Sequence, residues 1–213
     1  MSNAQAPLLM TGHSLVSFFA DASEQETNDI LDCLNYSEIR AGRKFDRQQD
    51  WSKWINRYQA GLYQNGFSLS GALNKETFLI NKPRDLLVAT RDVIRGSGHA
   101  ELASLASEAL GKLLSSHQMK AFFEDWFSTS RGESLQIVPC RQSTAGAVDV
   151  LVCGIHMQTE STGGSWFTRP TSTLNIRIDG GAYRYSADSY EPFREKVVDN
   201  LDRYTRIYFE NLA

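Results

Sequence analysis

The sequence predicts an α+β fold: a helical N-terminal half, a four-stranded antiparallel β-meander, and a C-terminal helix packed on the sheet. Three observations carry this. Up to about residue 130, apolar residues recur at intervals of three and four, the period of a helix face. Beyond it they alternate, the period of a half-buried strand. The last stretch returns to helical spacing, with Phe193, Val197, Leu201, Tyr204 and Tyr208 on one face. No repeat, low-complexity tract or Pro-rich linker divides the chain, so residues 1–213 read as a single domain. Residues 1–130 are its mainly helical part, and 131–213 are the β-meander plus C-terminal helix.

Ser23 can cap the first helix, with Glu26 placed to complete a capping box and Ile30, Leu31 and Leu34 on its apolar face. Trp51, Trp54, Ile55, Tyr58 and Leu62 form an aromatic-rich stripe that Asn65-Gly66 stops. Residues 67–80 are ambiguous; ETFLI fits a short strand or a helix entry. Pro83 then opens DLLVATRDVI, which Gly96-Ser97-Gly98 ends. Leu102, Leu105, Ala106, Ala109, Leu110, Leu113 and Leu114 make the widest apolar face, and QMKAFFEDWF adds a further helical piece.

In the second half, 134–142 reads as an edge strand because it contains Pro139, which cannot donate to a ladder. A second strand covers 147–159, and Ser161-Thr162-Gly163-Gly164 makes the turn after it. The third covers 172–179, and Asp179-Gly180-Gly181 signals a tight hairpin into a fourth strand carrying Tyr183 and Tyr185. Asp188 or Ser189 caps the last helix, placing Pro192 in its first turn.

The totals narrow the function classes. Of 213 residues, 22 are basic and 25 acidic, giving a net charge of −3 without a basic tract. The electrostatic footprint of a nucleic-acid binder is therefore missing. No apolar run reaches the roughly 18 residues of a membrane-spanning helix. No Lys or Arg precedes the apolar residues of the N-terminus, which predicts no secretory signal and a cytoplasmic protein, export by a non-classical route aside. Cys33, Cys140 and Cys153 are odd in number and widely spaced, so they read as reduced thiols. A Cys140–Cys153 disulfide stays open should their strands be neighbours.

The stretch AGAVDVLVCGIHMQTES, residues 145–161, places Cys153 and His156 three apart inside an apolar run. In a regular strand Cys153 and His156 point to opposite faces, so they form neither a nucleophile–base pair nor two ligands of one metal. Only a bulge at Gly154 would rejoin them. Both faces of this strand are apolar, so both require a cover: the C-terminal helix on one, the helical half on the other. No HExxH, GxSxG, Walker or GxGxxG pattern occurs. No cofactor or metal is implied. RGSGHAE, residues 95–101, offers a glycine turn before a helix, a candidate phosphate nest or a plain turn.

The candidate binding residues are Trp166 and Phe167, beside a glycine turn, Asn175 and Arg177 on the polar face of the third strand, and His156 near the end of the second. These, with the presumed edge strand, favour a non-catalytic module for a protein partner or for self-assembly. The alternative is a toxin-like or effector component that contacts a membrane or a host target. A third reading is an enzyme with a site around His156 and Arg177.

Overall fold

Ser23 starts the first helix where its sequence requires. The structure, a computed structural model, describes residues 8–80, 83–115, 133–143, 146–159 and 174–210. In α1 (Glu24–Gly42) the Glu26 amide donates to Ser23 Oγ at 3.2 Å, and the Glu26 carboxylate accepts from the Ser23 amide at 2.9 Å. The box satisfies two groups that a helix start leaves open. α2 (Trp51–Tyr63) buries the predicted stripe of Trp51, Trp54, Ile55, Tyr58 and Leu62. α3 (Pro83–Gly96) packs against α4 (Ala100–Ser115), which buries Leu102, Ala106, Ala109, Leu110 and Leu113. The predicted helical piece QMKAFFEDWF lies outside the described residues, as does the turn at 161–164. The last helix, α5 (Ala187–Glu210), begins after Ser186, whose Oγ accepts from the Ser189 amide at 3.3 Å. It therefore starts earlier than predicted, and Pro192 falls beyond its first turn.

The sheet is larger than a four-stranded meander. Among the described residues it has seven strands: β1 (Leu8–Thr11), β2 (Ser14–Ser17), β3 (Ser68–Ala72), β4 (Glu76–Ile80), β5 (Glu133–Gln142), β6 (Val148–Thr159) and β7 (Leu174–Tyr185). Their order is β1-β2-β5-β6-β7-β3, with β4 also paired to β7. β2 runs parallel to β5 and the other pairs are antiparallel, so the sheet is mixed. The N-terminal hairpin and the ambiguous 67–80 segment supply the strands that the predicted meander lacked.

Three expectations are corrected by this topology. First, β5 is not an edge, because β2 covers its other side and Ser17 stands opposite Pro139. The proline is accommodated where β5–β6 pairing lapses between Ile137↔Cys153 and Cys140↔Val150. Second, Asp179-Gly180-Gly181 is not a turn. It lies inside β7, which stays in register with β6 from Thr159↔Leu174 to Val148↔Tyr185. The glycines are needed for close approach: a Cβ at Gly180 would lie 1.9 Å from the Val152 carbonyl oxygen. The Gly180 carbonyl accepts from the Leu73 amide at 3.1 Å, joining β3 and β4 along one edge of β7. Third, Cys140 and Cys153 are on neighbouring strands but on opposite faces, and all three cysteines are free and buried.

Each sheet face has its own core. On one, Leu135, Ile137, Leu151, Cys153, Ile155, Met157, Ile176 and Ile178 pack under α3 and α4. On the other, Val138, Val148, Val150, Val152, Tyr183 and Tyr185 pack under α1, α2 and α5. Both faces are covered, as the apolar β6 requires, but the division of labour differs from the expected one. The C-terminal helix shares its face with α1 and α2, and among the described residues α3 and α4 cover the opposite face.

Candidate functional site

The unbroken β6–β7 register through Gly154 leaves Cys153 and His156 on opposite faces, as strand alternation predicts. Burial pushes the Cys153 thiol up to about 12, which leaves it a protonated core residue. His156 sits in a row with Ser134 of β5 and Arg177 of β7, on the face beneath α2. Asn175 is two residues from Arg177 on the same face and half-buried, with its Oδ1 unpartnered among the described residues. His156, Asn175 and Arg177 are thus brought together. Trp166 and Phe167 lie outside the described residues.

His156 is 2% exposed and lies flat against Trp51, with ring centroids 5.4 Å apart and planes 13° apart. The stack continues from Trp51 to Trp54 at 5.6 Å and from Trp54 to Tyr58 at 5.3 Å. The Arg47 guanidinium covers the Trp54 ring at 4.6 Å. Helical spacing of the aromatic stripe therefore places α2 as a ladder of rings along the sheet, with His156 as its last rung. Burial, then the charges of Arg177 and Arg47, hold the His156 imidazole down to about 4. It is neutral at pH 7, and its Nδ1 is buried without a partner among the described residues. Beside it, Asp50, Lys53, Gln158 and Arg177 help to line a polar recess of about 180 Å³.

Behind the ladder runs a network that sequence reasoning missed. Arg47 Nε donates to Ser134 Oγ at 2.5 Å, Nη2 to the Ser134 carbonyl at 2.7 Å and to Gln136 Oε1 at 3.1 Å, and Nη1 to Glu38 at 3.1 Å. His13 Nδ1 donates to the same Glu38 oxygen at 2.5 Å, and Ser14 Oγ lies 3.2 Å from Tyr58 OH. Burial alone would raise the Glu38 carboxyl. The His13 hydrogen bond and the Arg47 charge outweigh it and hold the group below its usual range. No local spacing links positions 13, 38, 47, 134 and 136, so no sequence signal marks them as one unit.

Ser134 Oγ is held by Arg47, Cys153 is on the far face, and His156 is packed on a ring without a nucleophile beside it among the described residues. Those residues also include no group of three His, Cys, Asp or Glu placed to hold a metal.

No protein-family model matches the chain, and no curated protein does. Among solved structures it is similar to the activated Cyt2Ba monomer from Bacillus thuringiensis subsp. israelensis, at a TM-score of 0.49 and 9% identity over 80% of this chain and 96% of that one. It is similar to a delta-endotoxin at 0.48 and 10%, over 84% of this chain and 86% of the other. It is also similar to the Evf virulence factor, at 0.41 and 11% over 96% and 85%. With each score below 0.5, none of the three bears on what the site does.

Proposed function

We propose that the chain is a toxin-like or effector component whose sheet meets a membrane. The observation that carries this is the length and two-sidedness of the central strands. β5, β6 and β7 have 10, 12 and 12 residues. A membrane-spanning strand needs about 9–11, whereas a strand in a globular protein averages about 5–6. The face under α3–α4 presents apolar side chains from Leu151 through Met157 along β6, ending at Asp149. At about 3.3 Å per residue, the stretch from Asp149 to Met157 is close to the roughly 25 Å apolar band of a membrane strand. The opposite face carries Ser134, Gln136, His156, Arg177 and Asp179 among its apolar residues. Apolar on one side and part-polar on the other is the pattern that lets a strand meet lipid and water at once. In this structure α3 and α4 take the place of lipid. Among the described residues no helix is long and apolar enough to cross a membrane, so the sheet is the element suited to the task.

β5, the strand expected to offer an open edge for self-assembly, is interior, so that part of the case for self-assembly falls away. Flotation with phosphatidylcholine vesicles, followed by limited proteolysis, tests the membrane reading. The expected result is a floating fraction in which β5–β7 resist protease. An intact protein that stays at the bottom of the gradient and releases no trapped dye would overturn it.

A further inference from the structure

A second charged cluster lies at the other end of the sheet, on the face that α3–α4 covers. Asp149 of β6 stands directly between Arg141 of β5 and Arg184 of β7 in the ladder. One carboxylate oxygen accepts from Arg141 Nη2 at 2.9 Å, and the other from Arg184 Nε at 3.2 Å. Asp149 therefore fixes two guanidiniums on neighbouring strands without using up their donors. Arg141 Nε is buried and has no partner among the described residues, where Arg184 donates only its Nε. Both arginines line a cavity of about 460 Å³, together with His99, Ala100 and Glu101.

The wall opposite the arginines is the RGSGHAE turn that the sequence singled out. Gly98, at φ +89°, ends α3 and lets the His99 amide donate back to the Ile94 carbonyl at 3.1 Å. The chain then turns into α4, whose first intrahelical bond runs from the Ala103 amide to the His99 carbonyl. The amides before Ala103 have no acceptor within the helix. Glu101 reaches from this turn to Arg141 Nη1 with a carboxylate whose side chain is 71% exposed. An exposed glutamate has little to hold it there against an ion that fits better.

We infer that this cavity binds a phosphoryl group, with Arg141, Arg184 and the opening turn of α4 as its donors and Glu101 as the internal anion it displaces. A phosphoryl group presents three acceptor oxygens, which suit donors arriving from two strands and a helix turn. A carboxylate has only two, and the cavity has room for the remainder of a phosphorylated molecule. With Glu101 bound, the two arginines are balanced by two carboxylates. With it released, the site carries an uncompensated positive charge. The phosphoryl group belongs either to a soluble phosphate ester or to a lipid headgroup, and the site belongs to the state in which α4 covers the sheet.

The test titrates the full chain calorimetrically with inorganic phosphate and with glycerol 3-phosphate. In parallel it floats the chain on phosphatidylcholine vesicles with and without phosphatidic acid. Saturable binding of a small phosphate, at least tenfold weaker in Arg184→Gln and several-fold tighter in Glu101→Gln, is the result expected for a soluble ligand. Binding only to vesicles holding phosphatidic acid, with the same dependence on both residues, assigns a headgroup. Arg184→Lys, which keeps the charge and loses the fork, serves if Arg184→Gln does not fold, and weaker binding is again expected. No binding of either probe, or binding indifferent to Arg184, overturns the inference.

Discussion

The two faces of one sheet are built by different means. Beneath α3 and α4 the core contacts are apolar and interchangeable, and a charged row crosses the sheet at the Asp149 end. Beneath α1, α2 and α5 an apolar core is joined to specific polar groups: the Arg47–Glu38–His13 network, the ring ladder ending at His156, and Asp29. Asp29 accepts from Arg194 at 2.8 Å and from Tyr185 OH at 2.6 Å, tying α1 to both α5 and β7. A face held by hydrophobic contact can exchange one apolar cover for another, because such contact is non-directional. A face held by buried hydrogen bonds cannot, because each broken pair leaves a desolvated group behind. On the membrane reading proposed above, the first is the releasable side and the second the fixed side.

The sharpest way to break this contrast is Arg47→Met. It leaves the Glu38 carboxylate buried with His13 as its remaining described partner and Ser134 without its donor. A loss of about 3–5 kcal/mol is expected from urea unfolding. A loss under about 1 kcal/mol would mean that the network holds nothing.

Acid is the next largest lever. His156 is held to about 4 in the folded state against an ordinary 6.5, so between those values the unfolded chain binds the extra proton. Stability then rises with pH across this window and is lost as pH falls from 6.5 to 4, by roughly 3 kcal/mol in all. Replacing His156 by Gln should flatten that slope. The acid loss from Glu38 comes lower, since its carboxyl is held below the usual range. A His156→Gln profile as steep as the parent's would place the acid sensitivity elsewhere.

On the apolar face, Ile155→Leu keeps volume and polarity and should cost less than about 1.5 kcal/mol by the same measurement. A larger loss would show that this face too depends on specific fit. The smallest effect is expected from Pro139→Val. It adds a buried amide where the β5–β6 ladder lapses, and a loss of about 1 kcal/mol should follow from the unpaired donor. A large gain would mean that the lapse is a real weakness in the central sheet.

Much of the fixed side was legible in the sequence. Ser23 and Glu26 announce the start of α1 because a cap is a local device, and the rings of α2 declare their face through spacing. Strand alternation separated Cys153 from His156 and required covers on both sides of β6. What could not be read was set by distant neighbours. β1 and β2 have 4 residues each, too few to show a period. Gly180 and Gly181 serve a hairpin turn and a crowded strand interior equally well, and only the Val152 carbonyl decides between them. Pro139 excludes a ladder bond, but the edge it implied was replaced by a lapse in pairing. Of the site, alternation paired Asn175 with Arg177 on one face of their strand, but that His156 shares this face follows only from the β6–β7 register. The Arg47 network and the Arg141–Asp149–Arg184 row were not legible, because the chain brings them together only through strand pairing.

The parallel pairing of β2 with β5 has a consequence for how the chain is made. Ser14 and Gln136, which meet across it, are 122 positions apart. During synthesis, the first hairpin must wait while α1, α2, α3 and α4 leave the ribosome before its partner strand exists. Contacts of such separation are slow to form, because the loop between them has to close first. Newly made chains should therefore pass through a stage in which the helices have begun to form but the β2 edge stands open. In that interval a chaperone or a neighbouring copy can reach a strand that the finished protein keeps covered.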